Sequence, residues 1–158
     1  MKIEGILSGV NKKIVIVASR FNELIVKELQ SGAYTSLVRA GVLESQIDEV
    51  YVPGAFEIPL AALALAKSGK YDGIVCLGAV IRGDTTHYDY VCNEVAKGIS
   101  HVQLSTGVPC SFGVITTENL EQAFLRAGSK AGNKGSEAAL VTLEMINLLK
   151  KISQTNSL

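Results

Sequence analysis

Residues 74–81 read Ile-Val-Cys-Leu-Gly-Ala-Val-Ile and are the most hydrophobic run of strand-forming residues in this 158-residue chain. Short apolar runs rich in β-branched residues are typical of strands that are buried on both faces of a parallel sheet. We therefore predict a strand within residues 71–81, at the centre of such a sheet. Outward along the chain, residues 13–19, 47–52 and 111–116 predict three further strands.

Helical patterns separate the predicted strands. Apolar residues recur at helical spacing from Asn22 to Gly41, across residues 57–67, and up to Gly107. A short helix is predicted to end at Gly128, and the face of a last helix consists of Ala138, Val141, Met145, Leu148, Leu149 and Ile152. The residues predicted to cap helix starts are Asn22, Thr86 with Asp89, and Asn119 with Gln122.

Strands that alternate with helices predict one domain over residues 1–158, with a parallel sheet between helical layers. Residues 1–12 fit neither element well, although Ile3, Ile6 and Leu7 are compatible with a short edge strand. We expect this arm to reach a neighbouring subunit, and we expect the polar tail, residues 153–158, to fray.

Composition excludes several classes of partner. The 15 Lys and Arg residues balance 15 Asp and Glu residues, so no net charge attracts nucleic acid or acidic lipid. The longest uncharged apolar run, residues 58–66, is too short to span a membrane, and the N-terminus lacks a signal-peptide pattern. We expect a cytoplasmic protein. With 47% hydrophobic and only 19% charged residues, some apolar surface is expected to meet another subunit.

Three cysteines, Cys76, Cys92 and Cys110, are widely spaced among apolar neighbours. This pattern indicates reduced core thiols rather than a disulfide framework or a zinc site.

The segments that follow three of the strands carry the residues suited to chemistry. Because open parallel sheets bind ligands at the carboxyl ends of their strands, these segments are expected to meet. Phe21 and Phe56 offer ring faces for a heterocycle, although both are equally compatible with core packing. Glu57 is suited to accept hydrogen bonds from ligand hydroxyls, or simply to sit in the first turn of its helix.

The turn before the third main helix, residues 83–86, reads Gly-Asp-Thr-Thr and resembles an anion site at a helix start, although the Asp84 carboxylate opposes an anion. His87 follows directly, and histidine exchanges protons near neutral pH, so we interpret His87 as a proton-transfer residue; surface decoration is the alternative. We expect no metal, because only two histidines occur and no carboxylates cluster with them.

Phe112 and Arg126 are predicted near the amino end of their own sheet, away from this crevice. If either residue serves a site, that site is expected to belong to an adjacent subunit. For Arg126, an interaction with the C-terminal end of its helix dipole is the alternative.

Five segments in this order resemble the 6,7-dimethyl-8-ribityllumazine synthase family: residues 20–22, 52–59, 78–89, 113–119 and 126–135. The resemblance implies a three-layer α/β/α, flavodoxin-like fold whose N-terminal arm pairs with a neighbouring subunit. It also implies a cofactor-free condensation of 5-amino-6-(D-ribitylamino)uracil with 3,4-dihydroxy-2-butanone 4-phosphate, the penultimate step of riboflavin synthesis.

The resemblance also implies roles for individual residues. His87 matches the proton-transfer residue, Phe21 the ring that stacks on the pyrimidine, and Arg126 the phosphate-binding arginine donated by a neighbour. The other implied substrate-binding residues are Ala55, Phe56, Glu57, Ala79, Val80, Ile81, Asp84, Thr85, Phe112 and Lys134.

Family members assemble as homopentamers, and the tight connector at residues 128–132 resembles that of members whose twelve pentamers form an icosahedral shell. Riboflavin synthase is a candidate partner. Two other functions stay open: a riboflavin synthase of similar architecture that joins two lumazines, and a non-catalytic flavin-binding or storage shell.

Overall fold

Within residues 1–128 and 132–156, which the computed structural model describes, four strands form one parallel sheet. The strands are β1 (Ile14–Ser19), β2 (Ile47–Val52), β3 (Gly73–Ile81) and β4 (Cys110–Thr117). Their order in the sheet is β2-β1-β3-β4. The predicted central position of the hydrophobic strand is confirmed, since β3 lies between β1 and β4.

Helices cover both faces of the sheet. Their bounds are α1 (Glu23–Arg39), α2 (Ile58–Lys67), α3 (His87–Thr106), α4 (Leu120–Gly128) and α5 (Lys134–Asn156). One hydrophobic core joins the sheet to α1, α4 and α5, and a second joins it to α2 and α3. This arrangement confirms the three-layer α/β/α fold. None of the described helices is both long and apolar enough to cross a membrane.

The N-terminal arm does not form the edge strand that the sequence suggested. Among the described residues, 1–12 contain no strand, and the arm lies along α5 instead. The Asn147 amide donates hydrogen bonds to the carbonyls of Ile6 (2.8 Å) and Ser8 (2.9 Å), and Lys151 Nζ donates to the Glu4 carbonyl (2.7 Å). Three main-chain carbonyls of the arm therefore accept hydrogen bonds from side chains of α5 rather than from a strand of the same chain.

The predicted apolar face of α5 is wrong at three of its six positions. Ala138 is buried as expected and Met145 and Leu148 are half-buried, but Val141, Leu149 and Ile152 are exposed. The buried positions are Gly135, Ala138, Ala139, Thr142, Leu143 and Asn147. Small residues are needed there because α5 approaches the sheet closely: a Cβ built on Gly113 of β4 would lie 3.1 Å from the Ala138 methyl.

α5 extends through Asn156, so residues 153–156 of the tail lie within the last helix, and its fraying stays a prediction. Residues 157–158 lie outside the described residues, as do residues 129–131 of the predicted tight connector. Cys76 and Cys110 are buried free thiols with their sulfurs 3.4 Å apart, and Cys92 is half-buried, in line with the prediction of reduced thiols.

Candidate active site

A cleft of ≈ 450 Å³ opens at the carboxyl ends of β1, β2 and β3. It brings together every sequence-predicted residue of these strand ends except Asp84, which is exposed in the adjoining turn. The lining residues are Phe21, Asn22, Pro53, Gly54, Ala55, Phe56, Glu57, Ala79, Val80, Ile81, Gly83, Thr85, His87, Tyr88 and Val91. The strand-end prediction therefore located this cleft.

Two aromatic rings stand at its mouth. Phe21 is 72% exposed and Phe56 is 57% exposed, so neither ring belongs to the core. Full burial of a phenylalanine side chain stabilises a fold by about 1.5–3 kcal/mol. Because both rings are mostly exposed, neither contributes more than a part of that stabilisation in the folded chain. Ring faces exposed in a concave site are suited to stack on a planar heterocycle.

The loop that carries Phe21 is held from two neighbouring strands. Main-chain N–H groups of Arg20 and Phe21 donate to the carbonyls of Val52 (2.8 Å) and Pro53 (3.1 Å) beyond β1. Asn22 adopts a left-handed conformation, with φ 62°, and its side-chain amide donates to the Ala79 carbonyl at 2.9 Å. The prediction that the Asn22 side chain caps α1 is wrong, since it makes no cap hydrogen bond among the described residues. The side chain instead links the Phe21 loop to β3.

Glu57 closes the turn after β2. One carboxylate oxygen accepts a hydrogen bond from the Gly54 N–H at 3.0 Å, which holds the Pro53–Gly54 backbone against the cleft. A carboxylate accepts further hydrogen bonds through its other oxygen. Glu57 is thus suited to both of its predicted roles, as a local turn residue and as an acceptor for ligand hydroxyls.

His87 is the first residue of α3 and is exposed. Its main-chain N–H donates to the Thr85 hydroxyl at 3.3 Å. The predicted capping pair is wrong: within the described residues the Thr86 side chain makes no cap hydrogen bond, and Asp89 pairs with Arg82 at 3.3 Å. Desolvation raises the pKa of the neighbouring Tyr88.

Phe112, Arg126 and Lys134 line a second pocket, of ≈ 380 Å³, on the open side of β4. Among the described residues, none lines both this pocket and the first cleft. The Arg126 side chain extends further than predicted, since its guanidinium donates to the Thr116 carbonyl (3.2 Å) near the carboxyl end of β4. The predicted place of the Arg126 side chain near the amino end of the sheet is therefore wrong, whereas Phe112 lies near that end as predicted. Neither residue is among the described lining of the first cleft.

The most voluminous of the described depressions is not the best candidate site. It measures ≈ 670 Å³ and lies between α1 and α4, lined by Glu28, Leu120, Glu121, Phe124, Leu125 and Gly128. Among its described lining residues the polar side chains are carboxylates alone, without a cation to bind phosphate or a histidine to move protons. In the described residues no three His, Cys, Asp or Glu side chains group together as a metal site requires.

The sequence model of the 6,7-dimethyl-8-ribityllumazine synthase family matches residues 11–150, which include both pockets. The chain belongs to this family. It is therefore a member of a transferase family that serves riboflavin biosynthesis. The match confirms the resemblance to the lumazine synthase family that the five sequence segments indicated.

Several lining residues were missed by the sequence reasoning. Tyr88 and Val91 share the first turns of α3 with His87, and Val91 stands four positions on, where helical spacing returns to the same face. Asn22 follows Phe21 directly. In the second pocket, Glu137 lies one helical turn beyond Lys134. Adjacency and helical spacing were the available signals for all four.

Proposed function

We propose that the protein condenses 5-amino-6-(D-ribitylamino)uracil with 3,4-dihydroxy-2-butanone 4-phosphate to give 6,7-dimethyl-8-ribityllumazine, phosphate and water. One observation carries the proposal: a single cleft contains two exposed aromatic rings, the turn that precedes α3, and His87. The chain belongs to the lumazine synthase family. We also propose that the protein acts in the cytoplasm.

In the proposed complex, Phe21 stacks on the pyrimidine and the main chain of Ala79, Val80 and Ile81 reads the uracil edge. The turn of Ala55, Phe56 and Glu57 holds the ribityl chain, with the free oxygen of the Glu57 carboxylate accepting from a hydroxyl. The exposure of Phe21 supports this assignment, as does the tie between its loop and Ala79.

The phosphate is assigned to the turn at Gly83 and Thr85, because main-chain N–H groups at the start of α3 favour an anion. Asp84 serves there through its main chain, since its carboxylate would repel phosphate. Arg126 supplies the cation, with Phe112 and Lys134 beside it, from a neighbouring subunit. Two separate pockets, each holding part of the required set, support this division.

The proposed reaction consists mainly of proton transfers. The aromatic amine adds to the ketone carbonyl and water leaves to give an imine; loss of a proton beside the imine then expels phosphate. Tautomerisation and attack of the second amine close the ring with loss of water. His87, exposed at the cleft, accepts and returns these protons, while the site holds both reactants in register.

We propose that the chain assembles as a homopentamer, with twelve pentamers in an icosahedral shell and riboflavin synthase as a candidate partner. Large apolar side chains that remain exposed support an assembly, among them Leu60 of α2 (75%) and Leu104 of α3 (85%). The arm adds exposed Ile6, Leu7 and Val10, which are suited to contact a neighbour.

The proposal is tested by measuring phosphate release and lumazine absorbance in one reaction, with each substrate omitted in turn. Coupled appearance of both products, dependent on both substrates and exceeding the rate in buffer alone, is the expected result. An assembled protein that gives no more product than buffer would instead favour a flavin-binding or storage shell. Formation of riboflavin from two lumazines would favour the riboflavin synthase alternative.

A further inference from the structure

Arg82 joins three elements just beyond the end of β3. Its guanidinium Nε lies 2.8 Å from Glu118 Oε2, in the connection from β4 to α4, and a terminal nitrogen lies 3.3 Å from Asp89 Oδ1 in the first turn of α3. The guanidinium also lies 4.6 Å from the centre of the Tyr88 ring. Its main-chain N–H donates to the Thr117 carbonyl at 2.9 Å, which fixes the backbone from which the side chain starts.

Arg82 is not placed to bind the substrate's phosphate. Its guanidinium faces two carboxylates, which offset its charge, and the side chain is absent from the described lining of the cleft. Exposed ion pairs such as these contribute little to the stability of a fold. Loss of the Arg82 side chain is therefore expected to leave the fold intact.

The geometry that Arg82 fixes is that of His87. Tyr88 and Asp89, its two contacts on α3, immediately follow His87, and Tyr88 lines the cleft beside it. Within the described residues Thr86 provides no side-chain cap at this helix start, where the Thr85 hydroxyl accepts from the His87 N–H. Arg82 adds a second, longer-range link from the α3 start to Glu118.

We propose that Arg82 is a positioning residue: it holds the first turn of α3 against Glu118 and so sets the imidazole of His87 relative to the cleft. This inference rests on the proposed function of His87. A misplaced proton-transfer group slows the chemical step while leaving the contacts that bind substrate in place.

The kinetic test compares Arg82→Ala with Arg39→Ala, an exposed arginine at the end of α1. We expect Arg82→Ala to lower kcat about tenfold, with KM for the phosphate substrate changed by less than about twofold. Arg39→Ala should retain both values. Arg82→Lys should recover little of the loss, because an ammonium cannot bridge the two carboxylates and lie over Tyr88 as a planar guanidinium does.

The His87→Ala background decides between positioning and direct action. If Arg82 acts through His87, Arg82→Ala should lower kcat by less than about twofold in that background. A full tenfold loss there would mean that Arg82 acts independently of His87 and would overturn the proposal. A large rise in KM for the phosphate substrate would do the same.

A readout without substrate keeps the inference separate from the proposed function. Amide hydrogen exchange at residues 89–91 should be faster in Arg82→Ala and in Glu118→Gln, which keeps the arginine and weakens its partner, but unchanged in Arg39→Ala. If the wild-type chain makes no lumazine, the proposed function fails while this exchange still tests Arg82. Unchanged exchange in a folded Glu118→Gln variant would overturn the positioning role.

Discussion

His87 is the only side chain within the described lining of the first cleft that ordinarily exchanges protons near neutral pH. We expect His87→Ala to lower kcat by about 100-fold, the lower end of the range for general acid–base catalysis, because the cleft still holds both substrates in register. KM for either substrate should change little. Steady-state lumazine formation measures both parameters, and His101→Ala, on the same helix outside both described pockets, is the control.

Substitution of Arg126 should change a different kinetic parameter, KM rather than kcat, because Arg126 is assigned to bind phosphate. Arg126→Ala removes a charged hydrogen-bond donor, and we expect KM for the phosphate substrate to rise about tenfold to 100-fold. The substitution also removes the hydrogen bond from the Arg126 guanidinium to the Thr116 carbonyl. This exposed bond contributes little to stability, so the fold should persist. Equal changes in kcat and KM for both His87→Ala and Arg126→Ala would contradict this division of roles.

At the scale of elements, Gly135 sets how closely α5 approaches α1. A Cβ built there would overlap the main-chain carbonyl of Leu29, which cannot move as a flexible side chain can. We expect Gly135→Ala to lower the free energy of unfolding by about 1–3 kcal/mol, the usual cost of overpacking. Urea unfolding at constant protein concentration measures it.

The matched control for that substitution is Gly83→Ala. A Cβ at Gly83 meets no described atom within 4 Å, and its φ is not in the left-handed region. Its unfolding midpoint should therefore stay close to that of the wild type. A Gly135→Ala chain as stable as Gly83→Ala would show that α5 shifts freely on α1.

Sequence patterns predicted elements better than the faces they bury. The run at residues 74–81 indicated the inner strand correctly, because a strand buried on both faces needs apolar residues throughout. In α5, Val141, Leu149 and Ile152 of the predicted apolar face are exposed, and the buried stripe contains Thr142, whose hydroxyl pairs with Ser111 of β4. Hydrophobicity could not reveal this arrangement, because close packing on the sheet favours small residues over apolar ones.

Helix starts show the same limit. Asn119 caps α4 as predicted, with the Gln122 N–H donating to its side chain at 2.9 Å. At α3, Thr86 and Asp89 have the same spacing but form no cap within the described residues, because the Asp89 carboxylate pairs with the charged side chain of Arg82, the residue after β3. A local motif predicts a local contact only where no charged residue from another element competes for it.

At the scale of the whole molecule, the proposed function divides the site between two copies of the chain. The first cleft holds the aromatic rings and His87, and the second pocket holds Arg126, with no described residue common to both. The sequence predicted this separation from strand ends alone. It could not predict that the Arg126 side chain extends to Thr116, because the reach of a long side chain depends on packing around it.

A shared site predicts complementation between two inactive chains. His87→Ala and Arg126→Ala subunits, unfolded together and reassembled in equal amounts, should form oligomers in which about one site in four combines the histidine of an Arg126→Ala chain with the arginine of a His87→Ala chain. We therefore expect the mixture to recover about a quarter of the wild-type rate at low concentrations of the phosphate substrate, where both single variants are slow. Lumazine formation before and after mixing is the measurement.

The controls decide what such a recovery means. The two variants mixed without unfolding should stay slow until subunits exchange, and His87→Ala reassembled with a His87→Ala, Arg126→Ala double variant should not recover, because no histidine is supplied. If both residues acted within one chain, every chain of the first mixture would carry one defect and no site would be intact. Reassembled rings with only the average rate of the two variants would thus place both halves of the site in a single subunit.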